Sequence, residues 1–461
     1  MAGIGFELRS VLERGGIIRF VTVSLAGTAI VAGPWLLSVL GIFLIQHFAF
    51  AMLSEGPTLF LAVVVYSYAF SLVAASGLHY VFSRWVSDLM YEKREAEAGS
   101  ALLAGLVTTA VLSVLLGAAG VLPFSLRGVV SHPVLFSFSA VLLFVTINLT
   151  WVLMSFVSLL REYAGILVAY LVGSLCSFLA AMALGRSLGT AGALLGYALG
   201  QLLIAAALAV MSFRRFRPKT LPLPAMASYL GRYRLLFLTG LVYAWATWMD
   251  KILFWFTFGA PVRGSWLSVF DAYDIPVFFA VLTLIPGLLF FTVRTETSFY
   301  PRLREFLRAL GSGTYKKIQE KKYGMIRVMN RGLKEQAVLQ GVCTVVFLIL
   351  TPRIAQGLFG GSADPTILGL TLTAVFFHSV FLSLMIFLFY FELYGSALIS
   401  ALVYFLTNAA VGVVTVLLGA RGLVGASYLV GGVAGCAAAI VALSRAVGRM
   451  DRILFARSAA R

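Results

Sequence analysis

The sequence predicts an all-α polytopic membrane protein with about twelve transmembrane helices in two parallel-repeat lobes of six, plus interfacial amphipathic helices. Of its 461 residues, 61% are hydrophobic and 11% are charged, whereas soluble domains carry roughly 25% charged residues. The apolar runs reach about twenty residues, which is the length of a membrane-spanning helix rather than of a barrel strand of about ten. The lysines and arginines also fall largely on one side of the resulting map.

The apolar runs also divide the chain. An amphipathic helix is predicted over 1–16, a first lobe over 17–213, a basic linker over 214–234 and a second lobe over 235–461, which contains a long basic loop at 293–334. The predicted spans are 17–47, 58–82, 100–124, 134–159, 164–184, 190–213, 235–258, 268–292, 335–352, 366–391, 395–418 and 423–444.

The charge distribution predicts the orientation. On this map 29 of the 35 lysines and arginines face one side, which is therefore predicted to be cytoplasmic, with both termini on it. The formal charge of +17 is thus mainly a topology signal with an added attraction to anionic membrane lipid. Nucleic-acid binding is not expected from charges placed in this way.

Three cytoplasmic segments have the composition of helices that lie on a membrane. Apolar residues at helical spacing alternate with charged residues over 1–16, around 302–310 and over 315–329, and Gly311-Ser312-Gly313 separates the last two. They act either as anchors or as a surface for partners. The candidates for a cytoplasmic gate or docking surface are Glu296, Arg302, Arg304 and Arg308, although Glu296 also fits a local salt bridge or cap.

The two lobes look like copies of one plan. Each has six spans, each has its longest charged loop after its second span, and each first span is marked near its middle. The marks are Gly33-Pro34-Trp35 in the first lobe and Asp250-Lys251 in the second. Because six is even, the copies point the same way, and their axis would run along the membrane normal.

The mark in the second lobe carries buried charge. Asp250 and Lys251 fall in the outer half of the predicted span 235–258, where charges are costly and face a cavity or a partner. Neighbours on a helix point about 100° apart, so the two need not pair with each other. Asp271 and Asp274 open the next span and could reach Lys251. A coupling or substrate site and a structural ion pair between spans are both open interpretations.

Helix breaks and aromatic residues provide the other candidates for a translocation path. Pro34, with Trp35, and both Pro276 and Pro286 lie inside spans, where proline frees a backbone carbonyl and kinks the helix. Such kinks line a pathway or only adjust packing. The aromatic candidates are Trp248 and Trp255, which either stack on sugar rings or belong to a belt at the lipid interface.

Enzymatic chemistry is not predicted. The chain has no nucleotide-binding P-loop, no metal-holding aspartate pair of the sugar-nucleotide type and no Ser/His/Asp pattern, so no catalytic residue is assigned. With 4 histidines and 3 cysteines, none in a metal-type spacing, neither a metal nor a cofactor is expected. His378 is predicted to be a hydrogen-bonded core residue.

Several short motifs, in order along the chain, resemble those of PelG-type membrane subunits of Pel exopolysaccharide export systems. They are the opening nonapeptide Met1 to Arg9, Gly33-Pro34-Trp35, Trp248-Met249-Asp250-Lys251, Tyr273-Asp274-Ile275-Pro276 running on to Ile285-Pro286, Glu296-Thr297 with Phe299, and Tyr390-Phe391-Glu392. The opening nonapeptide is the most specific of them.

The resemblance implies a twelve-span fold of the multidrug/oligosaccharidyl-lipid/polysaccharide flippase superfamily in a bacterial inner membrane. It implies export of an amino-sugar-rich Pel-like polysaccharide from cytoplasm to periplasm. The two-lobed architecture itself predicts transport by rocking of one lobe against the other around a central path. The resemblance also implies partners, namely two other inner-membrane Pel-system proteins and a cytoplasmic UDP-sugar glycosyltransferase. Flippases of lipid-linked sugars tend to line their cavity with Arg or Lys, whereas only Lys251 is intramembrane here, which favours a cargo without pyrophosphate.

Three other functions remain as alternatives. A cation-coupled small-molecule antiporter of the same fold predicts a deep carboxylate in the first lobe, and the predicted spans there hold no Asp or Glu in their interiors. A non-transporting scaffold for a glycosyltransferase predicts that changes on the 302–334 surface matter and that changes in a cavity do not. A membrane-embedded sugar or acyl transferase lacks catalytic residues.

Overall fold

The computed structural model describes residues 56–160, 162–357 and 364–450, most of which are helical. The predicted helix over 1–16 and the predicted span 17–47 lie outside them. The helices are α1 Pro57–Tyr91, α2 Glu95–Val121, α3 Pro133–Leu160, α4 Tyr163–Arg215, α5 Leu223–Arg232, α6 Arg234–Phe258, α7 Asp271–Leu282, α8 Ile285–Arg294, α9 Tyr300–Ser312, α10 Tyr315–Gly357, α11 Pro365–Tyr390, α12 Tyr394–Leu417 and α13 Gly425–Gly448. Between them lie strands β1 Ala260–Pro261 and β2 Ser268–Val269, a π-helical turn Thr295–Phe299 and a 3-10 turn Arg421–Leu423.

The described residues form two compact bodies. The N-terminal body holds the described residues up to Trp248 together with Trp255–Phe270. The C-terminal body holds Met249–Phe254 and the described residues from Asp271 onward. The middle of α6 therefore belongs to the C-terminal body, while both ends of this helix belong to the other. The predicted lobe boundary at 214–234 remains a prediction.

The predicted spans correspond to observed helices. Within the described residues, nine helical stretches are long and apolar enough to cross a membrane. One of them, α4, covers the two predicted spans 164–184 and 190–213, and α6 adds the predicted span 235–258. The described helices thus match eleven of the twelve predicted spans in order.

The division of α4 depends on one glycine. Gly189 has φ 60° and ψ −146°, a backbone conformation that only glycine adopts readily, and it interrupts the helix between its two spans. The chain needs no connecting loop here, because a single residue outside helical geometry redirects it.

The region after the β-hairpin differs from the predicted single span 268–292. The structure divides it into α7 and α8 at Thr283–Leu284 and continues it through the π-helical turn into α9. Pro286 lies in the first turn of α8, where its missing N–H costs nothing, whereas Pro276 lies inside α7.

The interfacial helix predicted over 315–329 and the span predicted over 335–352 are not separate helices in the structure. Both form the single helix α10, because no proline or capping signal separates them. The break expected at Gly311-Ser312-Gly313 is confirmed, since α9 ends at Ser312 and α10 begins at Tyr315.

Both bodies bury aliphatic and aromatic side chains in their cores and leave other large aliphatic side chains exposed. In the N-terminal body α3 packs against α1, α2 and α4, and in the C-terminal body α13 packs against α11 and α12. Apolar side chains outside these cores are exposed, for example Leu115 on α2 and Ile349 on α10. Lipid accepts such surfaces, whereas water would not.

Candidate functional site

The charged pair of α6 is buried in the C-terminal body. Asp250 has a relative exposure of 0% and Lys251 one of 8%. Both belong to the short segment Met249–Phe254, which α6 contributes to this body. A buried charge in an apolar helix is costly unless partners satisfy it, so the partners define the site.

The Asp250 carboxylate accepts hydrogen bonds from three side chains on three helices. The Tyr273 hydroxyl of α7 donates a short hydrogen bond to Oδ2, and the Asn408 amide of α12 donates to Oδ1 over 3.4 Å. The Lys251 ammonium lies 3.3 Å from each carboxylate oxygen. Helix geometry left open whether these neighbours pair, and in the structure they do, because the long lysine side chain bends back to its neighbour's carboxylate.

Aromatic rings enclose the Lys251 ammonium. Its Nζ lies 4.7 Å from the ring centroid of Tyr428 on α13 and 5.9 Å from that of Tyr273. A cation over an aromatic face is attracted by the ring quadrupole, and the attraction grows when water is excluded. The ammonium thus has a carboxylate and a π face in place of its hydration shell.

His378 extends this network to α11. Its Nδ1 lies 2.8 Å from the Tyr428 hydroxyl and 3.3 Å from the Tyr404 hydroxyl, and its side chain is buried. The prediction of a hydrogen-bonded core histidine is confirmed. The Tyr428 ring contacts the ammonium on its face while its hydroxyl reaches His378, so one tyrosine joins the ion pair to the histidine.

Glycines let α12 and α13 approach closely enough to form the site. A Cβ built on Gly431 of α13 would lie 2.8 Å from the Cβ of Asn408 and 3.0 Å from the ring of Tyr404. One on Gly435 would lie 2.9 Å from the Cβ of Tyr404. These glycines hold Asn408 and Tyr404 in place by allowing close helix contact, as small residues do between membrane helices.

Asp271 and Asp274 lie in the first turn of α7, where carboxylates favour the positive end of the helix dipole. Asp271 is exposed and Asp274 is half-buried. Lys251 forms an ion pair with Asp250, and its suggested pairing with Asp271 or Asp274 remains a prediction.

A side chain of α10 forms a hydrogen bond to the backbone at the break between α7 and α8. The Gln340 amide donates a hydrogen bond over 3.1 Å to the backbone carbonyl of Thr283, which lies at the break. Next to it, Gly287 lies so close to Gln340 that a Cβ there would be 2.4 Å from Oε1. The helix is thus interrupted just before Pro286, and the Thr283 carbonyl at this interruption accepts its hydrogen bond from Gln340.

Glu296 lies in the π-helical turn and is 6% exposed. The neighbouring Phe299 ring lies 4.8 Å from that of Phe387 and 5.5 Å from that of Tyr390, measured between centroids. On the preceding turn, Arg294 forms a two-point ion pair with Glu335 of α10, with atoms 2.9 and 3.3 Å apart. Short π-helices occur often at functional sites, so Glu296 stays a candidate for a gate.

The three arginines of the predicted docking surface lie on the exposed side of α9. Arg302 pairs with Glu305 at 3.1 Å, and the Arg304 guanidinium lies 6.0 Å from the Tyr300 ring centroid. Arg308 is exposed as well. On the opposite side of α9, Leu303 and Phe306 are buried, so the amphipathic prediction is confirmed for this helix.

The aromatic candidates Trp248 and Trp255 belong to the N-terminal body, with ring centroids 6.1 Å apart. Trp255 is buried, and the Tyr66 ring stacks on it at 4.5 Å. Its face is thus covered by protein, whereas Trp248 is half-buried. Pro34 and Trp35 lie outside the described residues.

Sequence reasoning did not assign Tyr273, Tyr404, Asn408 and Tyr428 to the site. Asn408 carried a signal, because it is an amide inside an apolar run and buried amides need partners. The tyrosines carried no chemical signal, because 18 tyrosines are spread through the chain, although Tyr273 stands in one of the family motifs.

Solved structures with a similar fold are membrane transporters. The Vibrio cholerae MATE transporter VcmN in the bent form has a TM-score of 0.63 at 13% identity, covering 98% of this chain and 99% of that one. The MATE transporter ClbM in complex with Rb+ has 0.56 at 15%, covering 94% and 96%. Lipid II flippase MurJ in the inward closed conformation has 0.55 at 12%, covering 89% and 86%. At these identities the likeness shows the fold alone.

Sequence comparison identifies the family. No curated protein matches the chain. The family described as "PelG: Putative exopolysaccharide Exporter (EPS-E)" matches residues 1–455, which confirms the resemblance carried by the short motifs. With its apolar helices and its transporter fold, the protein is a multi-pass membrane transporter, and the chain belongs to the PelG family of exopolysaccharide exporters.

Proposed function

We propose that this exporter moves a Pel-like, amino-sugar-rich polysaccharide from the cytoplasm to the periplasm across a bacterial inner membrane. The family supports polysaccharide as the cargo, and the lopsided distribution of lysine and arginine supports the orientation, with both termini cytoplasmic. The two lobes rock around a central path in the manner of repeat-built transporters.

One observation supports the C-terminal body as an active part of the exporter rather than a passive bundle. An ion pair, a histidine and three tyrosines are enclosed together inside it. Apolar residues of similar volume would pack such a core at no greater cost, because burying two charges loses their hydration. Retaining the charges fits a role in the transport cycle.

The candidate path residues divide into two roles under this proposal. Asp250 and Lys251 set the charge inside the C-terminal body, with Asp271 and Asp274 at the start of α7. The remaining candidates would line or shape the path: Trp248, Trp35, Trp255, Pro34, Pro276 and Pro286. Aromatic faces suit the apolar faces of sugar rings.

We infer that catalysis lies in partners rather than in this chain. The proposed partners are two other inner-membrane Pel-system proteins and a cytoplasmic UDP-sugar glycosyltransferase. The exposed cations of α9 and of the following part of α10 provide the docking surface: Arg302, Arg304, Arg308, Lys316, Lys317, Arg327, Arg331 and Lys334. Glu296, in the adjoining π-helical turn, is the proposed gate.

The test replaces Asp250 with Asn and, separately, Lys251 with Met in the native host. Thr371→Val is the matched control, because Thr371 is buried in the same body but bonds only to a carbonyl of its own helix, at 3.0 Å. We expect the control to secrete normally and the two site variants to lose secretion at normal membrane levels of protein. Normal secretion by both site variants would refute an active role for the pair.

The antiporter alternative is less well supported by the described residues. Within the described part of the N-terminal body no aspartate or glutamate is buried, whereas a cation-coupled antiporter was expected to carry one. If deletion of the whole chain left polymer secretion intact, this alternative would replace the Pel proposal. The scaffold alternative would gain if only changes on α9 and α10 abolished secretion.

A further inference from the structure

The C-terminal body holds a buried ammonium group. The side chain of Lys251 is 11% exposed, and that of its partner Asp250 is 0% exposed. Its Nζ contacts both carboxylate oxygens at 3.3 Å and lies over the Tyr428 ring at 4.7 Å. The cation thus occupies a cage formed by four helices: α6, α7, α12 and α13.

The chemistry of the cage suits an ammonium better than a metal ion. An ammonium carries three N–H donors, so it can bond two oxygens and still direct its remaining surface to an aromatic face. Hard metal cations require a shell of six or more oxygen ligands at about 2.0–2.6 Å. Here two ring faces stand where such a shell would need oxygens.

The cage is held in shape by groups other than Lys251. The Tyr273 hydroxyl and the Asn408 amide both donate to the carboxylate, and His378 bonds the Tyr428 hydroxyl at 2.8 Å. Gly431 allows the close approach that positions Asn408. Removal of the lysine side chain would leave the carboxylate and the ring faces in place.

We propose that Asp250, Tyr273, Asn408 and the ring face of Tyr428 form a binding site for a primary ammonium, and that the chain's own Lys251 is its tethered occupant. The tether neutralises Asp250 without a dissociable cation. A free primary ammonium of the right length takes the place of the lysine side chain when that side chain is shortened. The role of this site in transport rests on the export proposal, whereas binding itself does not.

The test is chemical rescue of the purified full-length Lys251→Ala variant in detergent. Propylammonium replaces the atoms that the substitution deletes. We expect the apparent melting temperature of the variant to fall by about 5 °C or more, because a buried carboxylate has lost its counter-charge. Saturating propylammonium chloride should recover more than half of that fall. Propanol, sodium chloride and tetramethylammonium chloride should not, because each lacks the charge, the N–H donors or the size.

A second variant separates charge from packing. Asp250→Asn combined with Lys251→Ala removes both charges, so it should melt higher than Lys251→Ala alone and should not respond to propylammonium. If Lys251→Ala folds only when it is prepared in propylammonium chloride, while the double variant folds without it, the proposal is supported. If Lys251→Ala does not fold even in propylammonium chloride, the proposal is overturned.

Three other results would overturn the proposal. They are rescue by propanol or sodium equal to that by propylammonium, an undiminished melting temperature for Lys251→Ala, and equal failure of the single and double variants. Because the readout is thermal stability, a loss of polymer secretion in the same variants bears only on the export proposal. The two proposals therefore fail separately.

Discussion

The contact between Gln340 and the break before α8 predicts a substitution whose effect changes sign with its neighbour. Gly287→Ala would place a Cβ 2.4 Å from Gln340 Oε1, which is 1.0 Å closer than the 3.4 Å at which ordinary contact begins. The amide must then move, and its Nε2 would lose the 3.1 Å hydrogen bond to the Thr283 carbonyl. In the Gln340→Ala background the same Cβ meets no amide.

The magnitude follows from the lost bond. A buried carbonyl left without a donor costs about 1–3 kcal/mol, whereas replacing glycine by alanine in a helix gains up to about 1 kcal/mol. Gly287→Ala should therefore destabilise the wild-type chain and stabilise the Gln340→Ala variant. The coupling energy between the two sites should be about 1–3 kcal/mol.

Thermal unfolding of the four purified proteins in one detergent measures this coupling. For a body of 150–250 residues, each kcal/mol shifts the melting temperature by about 2–4 °C. Equal effects of Gly287→Ala in both backgrounds would show that Gln340 does not fasten the break. A gain in stability in the wild-type background would refute the reasoning directly.

Three further substitutions test local geometry. Lys93 has φ 60°, which glycine adopts without strain. Lys93→Gly should therefore raise the free energy of unfolding by up to about 1 kcal/mol, seen as a higher melting temperature, while Lys93→Ala should not. Gly189→Ala should lower the free energy of unfolding by about 1–3 kcal/mol, because the φ and ψ of this residue are readily adopted by glycine alone. Thermal unfolding should show a lower melting temperature, and circular dichroism should show an unchanged helix content. Gly431→Ala should displace Asn408, whose Cβ would be 2.8 Å away, and should lower both melting temperature and polymer secretion, whereas Gly448→Ala, with open space, should change neither.

The membrane architecture could be predicted because lipid imposes a simple rule on sequence. A helix across the bilayer needs about twenty apolar residues, and cytoplasmic loops collect lysine and arginine. Both signals are local, so the bounds of α11 and α12 match the predicted spans 366–391 and 395–418 within one or two residues. The continuation of α10 through residue 334 was missed, because an amphipathic segment joined to an apolar one has no marker at the junction.

The candidate site could be predicted only in part. Charge inside an apolar run identified Asp250 and Lys251, because such charges are rare and costly. The sequence by itself thus determined the membrane class, the span order, the family motifs and the charged pair. Only the tertiary structure decided that Lys251 bends back to Asp250 and that Tyr273, Asn408 and Tyr428 close around them. These residues are up to 178 positions apart in the chain, and hydropathy describes each helix alone, whereas helix packing determines which buried polar groups meet.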